Sequence, residues 1–350
     1  MFGAAGLGVS HSDRMTFRAP AGRQDALMAF QLEPFDAAAA ATVAAIWTAA
    51  CGHDLAISPG FVEYNMRPTA GAAQAGRLAL HHGRPVGSVL ASALPDDPAT
   101  SPPEVGWIDA IAVLPAFQRQ GIGSAMLAWA EGRLAGLGCT HSRLGASLRP
   151  FAPGLPVQLG TEAVFRAWGY GDRSQSSIVW DVARDLADYG SRSGQLPLTT
   201  DIRLQPALPG QEEALLAFLQ REFPGRWRFE CQELVREGER LSDTMLLWTG
   251  RGVDGFCRMT TEDSPRPIER FYMHRLPRPW GQLGPIGVSR DRRGRGYGAA
   301  LLDAAIMHLK GAGVRGCVID WTDLVEFYAR FGFEPYREYA VLLKQLARGD

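Results

Sequence analysis

The chain has 350 residues, of which 46% are hydrophobic and 21% charged, and its formal net charge is −1. This composition indicates a globular chain long enough for two domains, and the near-zero charge gives no overall field that would favour nucleic acid or an acidic membrane surface. Five scattered cysteines without a CxxC pair argue against a disulfide scaffold or a zinc site, so we expect no metal.

Nothing in the chain predicts export or membrane insertion. The N-terminus lacks a basic segment followed by a long apolar run, which argues against a secretory signal. The longest uncharged run, residues 37–52, is mostly alanine and shorter than the ~20 apolar residues of a membrane span. We therefore expect a cytoplasmic protein.

Hydrophobic periodicity predicts alternating strands and helices after an N-terminal tail of residues 1–28. The first half then contains, in order, a strand in residues 27–35, an alanine-rich helix, a hairpin in residues 76–94, a buried strand in residues 106–115, a helix ending at Gly138, a short helix in residues 161–170 and a strand in residues 177–182.

The second half repeats this order. It contains a strand in residues 201–206, a helix in residues 210–223, a hairpin in residues 244–260, a strand in residues 281–289, a helix ending near Gly311, a strand in residues 316–321, a short helix in residues 322–333 and a closing segment in residues 339–346. The repetition predicts an N-terminal domain at 29–188, a polar linker at 189–200 and a C-terminal domain at 201–350.

Two glycine-rich segments occupy matching places in the halves. FQRQGIGSAML and RRGRGYGAALL each follow a predicted strand and open a helix. The first turn of a helix has free amide hydrogens and a partial positive charge, and glycine lets an anion approach them. Neither segment has the lysine of a Walker loop or the third glycine of a dinucleotide fingerprint. The segments therefore predict two sites for a phosphate or diphosphate.

These segments resemble the [QR]-x-x-G-x-[GA] motif of the GNAT superfamily of acyl-CoA-dependent N-acyltransferases. The matches are Gln118–Gly123 and Arg293–Gly298, and the family's closing Y-x-x-x-G-F motif matches Tyr328–Phe333. The first half has Phe165 in place of that tyrosine. The resemblance covers residues 29–350 as a tandem pair, the layout of two-domain members such as mycothiol synthase.

The resemblance implies an α/β (α+β) fold of two tandem domains, each with a mixed, mostly antiparallel sheet, a splayed strand pair and flanking helices. It also implies acetyl-CoA as the cofactor, with the diphosphate on each glycine loop and the pantetheine arm on the preceding strand. The residues it assigns to cofactor binding are Ile111, Val113, Gln118, Arg119, Gln120, Gly121, Ile122, Gly123 and Ser124 in the first half, and Ile286, Val288, Arg293, Gly294, Arg295, Gly296, Tyr297, Gly298 and Ala299 in the second.

Catalytic candidates differ between the halves. In the family the motif tyrosine protonates the leaving thiolate, which implies Tyr328 as the acid and favours the second half as catalytic. A base is harder to identify, because the first half has Asp109 on its strand where the second has Gly284. Asp320 is the nearest carboxylate candidate, and His274, Glu230 and a water chain remain alternatives.

The resulting hypothesis is an N-acetyltransferase that acts on a small-molecule amine, without nucleic-acid or membrane partners. A non-catalytic acyl-CoA-binding or sensory protein and a protein-modifying acetyltransferase are the alternatives. Oligomeric state and acyl chain length are not encoded in any motif that we recognise.

Overall fold

The computed structural model describes residues 15–17, 30–172, 178–192 and 202–347. The predicted linker at 189–200 falls largely outside these residues. So does the predicted tail, except for a short strand at Met15–Phe17. None of the helices within the described ranges is both long and apolar enough to cross a membrane.

The described chain forms two sheets of eight strands, each mostly antiparallel with one parallel pair. The first sheet has the order β1-β2-β3-β4-β5-β6-β16-β8. Its strands are β1 (Met15–Phe17), β2 (Phe30–Phe35), β3 (Ala73–His81), β4 (Arg84–Ala93), β5 (Val105–Val113), β6 (His141–Leu144), β8 (Gly171–Asp172) and β16 (Leu342–Gln345).

The second sheet has the order β10-β11-β12-β13-β14-β9-β15-β7. Its strands are β7 (Leu155–Pro156), β9 (Ile178–Asp185), β10 (Arg203–Pro206), β11 (Thr244–Thr249), β12 (Gly252–Thr261), β13 (Trp280–Val288), β14 (Gly316–Thr322) and β15 (Glu334–Ala340).

Helices flank both sheets. They are α1 (Ala40–Cys51), α2 (Pro59–Asn65), α3 (Ile122–Gly136), α4 (Glu162–Ala167), α5 (Glu212–Glu222), α6 (Arg226–Arg236), α7 (Tyr297–Gly311) and α8 (Val325–Ala329). The predicted fold class, with two mixed sheets and flanking helices, is therefore confirmed.

The two halves of the chain exchange strands. β9, from the first half, lies between β14 and β15 in the second sheet, and β16, from the C-terminal end, lies between β6 and β8 in the first. The predicted closing segment at 339–346 is thus divided at Val341 between two sheets. The domain boundaries at 29–188 and 201–350 stay a proposal, since each sheet needs strands from both sides of the proposed linker.

Two hydrophobic clusters, like the sheets, contain side chains from both halves of the chain. Leu342 is fully buried in a cluster whose other members come mainly from the first half, including Leu144 and Tyr170. Tyr272 and Tyr339 are buried in the cluster formed by α1 and α2. The halves therefore share core side chains as well as backbone hydrogen bonds.

We predict that Leu342→Ala lowers the free energy of unfolding by about 2–5 kcal/mol, the range for a buried leucine truncated to alanine. The first half of the chain should also lose stability, because the Leu342 side chain packs in the hydrophobic core of the first half. Hydrogen exchange should show faster exchange in β6 and β8. Leu208→Ala, at a leucine that is 54% exposed, is the control with little effect. Unchanged protection of β6 in Leu342→Ala would contradict the exchanged arrangement.

Candidate active site

Each sheet has a gap beside the strand that precedes the glycine loop. β5 and β6 pair in parallel only from Val105–Ile108 to His141–Leu144. β13 and β14 do the same only from Trp280–Leu283 to Gly316–Ile319. Beyond these points the parallel pairing ends while β5 stays paired with β4 and β13 with β12, so one edge of the second half of β5 and of β13 faces a gap. The splayed strand pair expected from the sequence is present in both halves.

A bulge marks the start of each gap. In β5, the register against β4 shifts so that Asp109 has no paired residue on β4. In β13, the register against β12 shifts so that Gly284 and Pro285 have no paired residue on β12. A bulge redirects side chains and bends a strand, and such irregularities are common beside active sites. The two halves therefore place different groups, a carboxylate and a glycine, at the same structural position.

Each glycine loop has the backbone that an anion site needs. Gly121 and Gly296 are the N-caps of α3 and α7, with φ 84° in both, a left-handed value that favours glycine. No side chain caps either helix, and a Cβ at Gly121 would meet nothing within 4 Å. The amide hydrogens of the two 15-residue helices are therefore open to an incoming diphosphate.

The first motif residue of each loop is tied to the end of the preceding strand. The Gln118 side-chain amide donates to the Val113 carbonyl at 3.0 Å, and Arg293 Nε donates to the Val288 carbonyl at 3.4 Å. These bonds fix the turn between strand and helix. They explain why glutamine or arginine, both of which donate, occurs at this motif position.

The first-half gap is the floor of a cleft of about 770 Å³. The predicted cofactor residues that line it are Ile111, Val113, Gln118, Arg119, Gly121, Gly123 and Ser124. Two others lie elsewhere, since Ile122 is buried in the core and the Gln120 amide donates to the Ala116 carbonyl. The size and apolar lining of this cleft suit the pantetheine arm of a coenzyme A.

The segment after β6 forms the far wall of this cleft. Gly145, Ala152, Gly154 and Leu159 line it, while Phe151 is fully buried against Trp47 and Phe61 at 5.3 and 4.9 Å between ring centroids. This segment, which is rich in proline and glycine, therefore both covers the core and shapes the cleft.

Asp109 is a buried carboxyl group inside the first-half cleft. Its side chain is 3% exposed, and Oδ1 accepts a hydrogen bond from Ser92 Oγ at 2.9 Å. Burial raises the pKa of Asp109 to about 7, against the effect of that hydrogen bond. A carboxyl group that titrates near neutral pH can accept a proton from a substrate.

The second-half gap forms a smaller cleft of about 360 Å³. It brings together the predicted Tyr328 and Asp320 with Ile286 of β13. The remaining cofactor positions predicted here, Val288 and Arg293 to Ala299, lie outside this cleft around the N-terminus of α7, where the Tyr297 side chain is buried in the core. Their role in cofactor binding stays a prediction.

Tyr328 and Asp320 both have shifted pKa values. Burial raises the pKa of Tyr328 above its ordinary value, so the phenol stays protonated at neutral pH. Burial also raises the pKa of Asp320, against the positive charges of Arg266 and Arg270 and a 2.7 Å hydrogen bond from Gln282 Nε2. The cleft thus contains a proton donor and a carboxyl group of increased basicity.

The two alternative side chains, Glu230 and His274, are less suited than Asp320 to act as the general base. Glu230 lines the same cleft with its side chain 12% exposed, but the charges of Arg226 and Arg266 hold its pKa at about 2, and its carboxylate pairs with Arg226. A carboxylate with so low a pKa is a weak base. His274 lies outside the cleft lining, with Nε2 3.0 Å from the Ala56 carbonyl oxygen.

We predict that Asp109→Asn stabilises the protein more at pH 8 than at pH 5. The pKa of about 7 in the folded protein exceeds the ordinary aspartate value of 3.8, so the stability that Asp109 contributes at low pH is lost as the pH rises from about 4 to 7. Asparagine does not titrate and avoids this loss. Urea unfolding of both proteins at both pH values should show the difference growing by about 1–3 kcal/mol.

Asp172→Asn, at an exposed carboxylate, is the control for general pH effects. Equal stabilisation by Asp109→Asn at pH 5 and pH 8 would show that Asp109 is not a buried group with a raised pKa.

Comparison with known proteins connects these features to one family. The Acetyltransferase (GNAT) family model matches residues 46–149 and 213–333. The mycothiol acetyltransferase of Actinosynnema mirum is 26% identical over 232 residues, covering 65% of this chain and 71% of that protein. The mycothiol acetyltransferase of Corynebacterium glutamicum is 24% identical over 250 residues, covering 67% and 74%.

Solved structures show the same fold. A GCN5-related glucosamine N-acetyltransferase region of a fungal multi-domain GH3 β-N-acetylglucosaminidase superimposes with a TM-score of 0.80 at 24% identity, and the match spans 93% of this chain but only 38% of that chain. A tandem GNAT protein from the clavulanic acid biosynthesis pathway gives 0.64 at 18% identity, covering 92% and 100%. With two matched regions that include both glycine loops and both gaps, this chain belongs to the GNAT acetyltransferase family.

Proposed function

We propose that this protein transfers an acetyl group from acetyl-CoA directly to the amine of a small molecule, with catalysis mainly in the second-half cleft. The observation that carries the proposal is that Tyr328 and Asp320, a proton donor and a proton acceptor, line one cleft at the end of a splayed strand pair. The mycothiol acetyltransferase relatives support a small-molecule acceptor, because that is what their name describes.

The residues present fit the cofactor. Acetyl-CoA, when bound, supplies an activated acyl group as a thioester. The open amides at Gly121 and Gly296 would hold its diphosphate, and the free strand edges at Val113 and Val288 would hold its pantetheine arm. The cofactor residues predicted from the sequence are therefore proposed as the two binding sites, with Gln120, Ile122 and Tyr297 contributing only their backbone.

Proton transfer is the task of the second-half side chains. Asp320 accepts a proton from the acceptor amine, for which its raised pKa makes it better suited than an ordinary aspartate. Tyr328 donates a proton to the departing thiolate, since burial keeps its hydroxyl protonated. General acid or base groups of this kind contribute about 10²–10⁴-fold in rate.

The first-half cleft is the second candidate for catalysis. Asp109 favours this reading, because it is a cleft carboxyl with a pKa of about 7. Phe165, which also lines the cleft, has no hydroxyl to donate. We therefore propose that this cleft binds acetyl-CoA, and we retain a non-catalytic acyl-CoA sensor as the alternative function of the protein.

We predict that Tyr328→Phe lowers kcat at least 100-fold while coenzyme A binding is retained, because only the donated proton is lost. Thiol release from acetyl-CoA with a panel of amines measures the rate. Tyr336→Phe is the matched control, since its hydroxyl donates to the Tyr272 carbonyl outside the cleft. Full activity in Tyr328→Phe with loss in Asp109→Asn would instead move catalysis to the first-half cleft.

We also predict two coenzyme A sites per chain. Gly123→Glu and Gly298→Glu each place a carboxylate in the first turn of a helix, where it is compatible with the helix dipole but repels a diphosphate. A Cβ at Gly298 would meet nothing within 4 Å, and one at Gly123 would make ordinary contacts only. Calorimetry on the full chain should therefore give two sites in the wild type and one in each variant.

Binding at two sites without turnover across the amine panel would support the sensor instead of the enzyme. Two sites remaining in both glycine variants would contradict the assignment of the diphosphate to these helices.

A further inference from the structure

Arg266 is a buried guanidinium group that lines the second-half cleft and makes no ion pair with any carboxylate of the described residues. It is 4% exposed and lines the cleft together with Asp320 and Tyr328. Its Nε and Nη1 are buried without a hydrogen-bond partner, and within the described ranges no carboxylate forms an ion pair with it. A buried, unpaired charge is unfavourable and points to a missing ligand.

Neighbouring charges increase this imbalance. The nearby carboxylates have other partners, since Glu230 pairs with Arg226, Glu239 pairs with Arg258 at 2.7 Å, and Asp320 accepts its hydrogen bond from Gln282. Burial and the positive charge of Arg258 lower the pKa of Arg266. Arg270, itself 8% exposed, adds another positive charge behind it.

The lining of the cleft also includes an aromatic residue with a strained backbone. Trp321 has φ 53°, and its amide is held by a 2.9 Å hydrogen bond to Asp181 Oδ1. The Arg226 guanidinium lies 4.3 Å from the centre of its ring. Strained backbone of this kind is concentrated at functional sites, where the surrounding structure maintains it. Trp321 and Arg226 thus form a fixed part of the cleft that Arg266 also lines.

The cleft that Arg266 lines does not include the glycine loop. Arg266 shares its lining with Gly284, at the inner end of the gap, whereas Val288 and the loop residues after it lie outside that lining. An anion bound at Arg266 would therefore share the cleft with Tyr328 and Asp320, apart from the diphosphate.

We propose that Arg266 binds an oxyanion, a carboxylate or a phosphate, carried by the acceptor in addition to its amine. The guanidinium fork matches either oxyanion with two parallel hydrogen bonds. With that group on Arg266, the amine is directed toward Asp320. This inference rests on the proposed function, because it names the class of acceptor that the second-half cleft takes.

The test measures anion binding without requiring turnover. Melting temperatures of the full chain, with saturating coenzyme A to occupy the glycine loops, are compared in malonate, in phosphate and in chloride at equal ionic strength, for the wild type, Arg266→Gln and the control Arg240→Gln. Arg240 is an exposed arginine paired with Asp263 and is outside the cleft lining. Malonate or phosphate should stabilise the wild type and the control, and Arg266→Gln should raise the apparent Kd at least about tenfold.

Three results would overturn the inference. The first is the absence of stabilisation by either anion in the wild type, and the second is an equal stabilisation of Arg266→Gln. The third is a lower melting temperature of both Arg266→Gln and Arg266→Met in chloride, which would mean that Arg266 stabilises the fold. Removal of an unpaired buried charge should leave this temperature unchanged or raise it.

Pairs of anionic and neutral amine substrates then distinguish a carboxylate from a phosphate as the bound oxyanion. They also test the anion site separately from the proposed acetyltransferase activity. β-Alanine is compared with its amide, and phosphoethanolamine with ethanolamine. The anionic member of one pair should have at least about tenfold higher kcat/KM, and Arg266→Gln should reduce this preference mainly through KM. If no amine is acetylated but anion binding depends on Arg266, the proposed function fails while the anion site remains.

Discussion

The partial pairing of two parallel strands is the constraint on which both sites depend. β5 and β13 each pair with a parallel neighbour over four residues and then separate. The separation leaves strand edges free to bind an extended ligand, and it ends at a helix N-terminus with open amides. One backbone arrangement therefore creates a site for an elongated molecule with a charged diphosphate at one end.

The strand exchange joins the two sites into one folded unit. Because β9 completes the second sheet and β16 the first, neither half of the chain contains its whole sheet. Shared core residues such as Tyr339 strengthen this coupling. Against this common frame, the clefts differ in chemistry, with Asp109 in one and Tyr328, Asp320 and Arg266 in the other.

The sequence patterns predicted those features of the fold that depend on short stretches of the chain. The glycine loops, the hairpins and the order of the main elements follow from short-range signals, and the motif tyrosine led to Tyr328. The exchange was not predictable, because β9 and β16 look like ordinary closing strands and their partners are distant in sequence. Arg266 was missed for a similar reason: an arginine in a loop after β12 gives no sign that folding buries it without a partner. Asp109 was noticed by register alone, while its raised pKa depends on burial that only the packed structure provides.

The most direct test of the account is a structure of the full chain crystallised with acetyl-CoA. The account predicts a pantetheine arm in each gap, running along Val113 and Val288, with a diphosphate at the N-termini of α3 and α7. Density that shows β5 and β6 paired along their whole length, or coenzyme A bound away from both gaps, would contradict it.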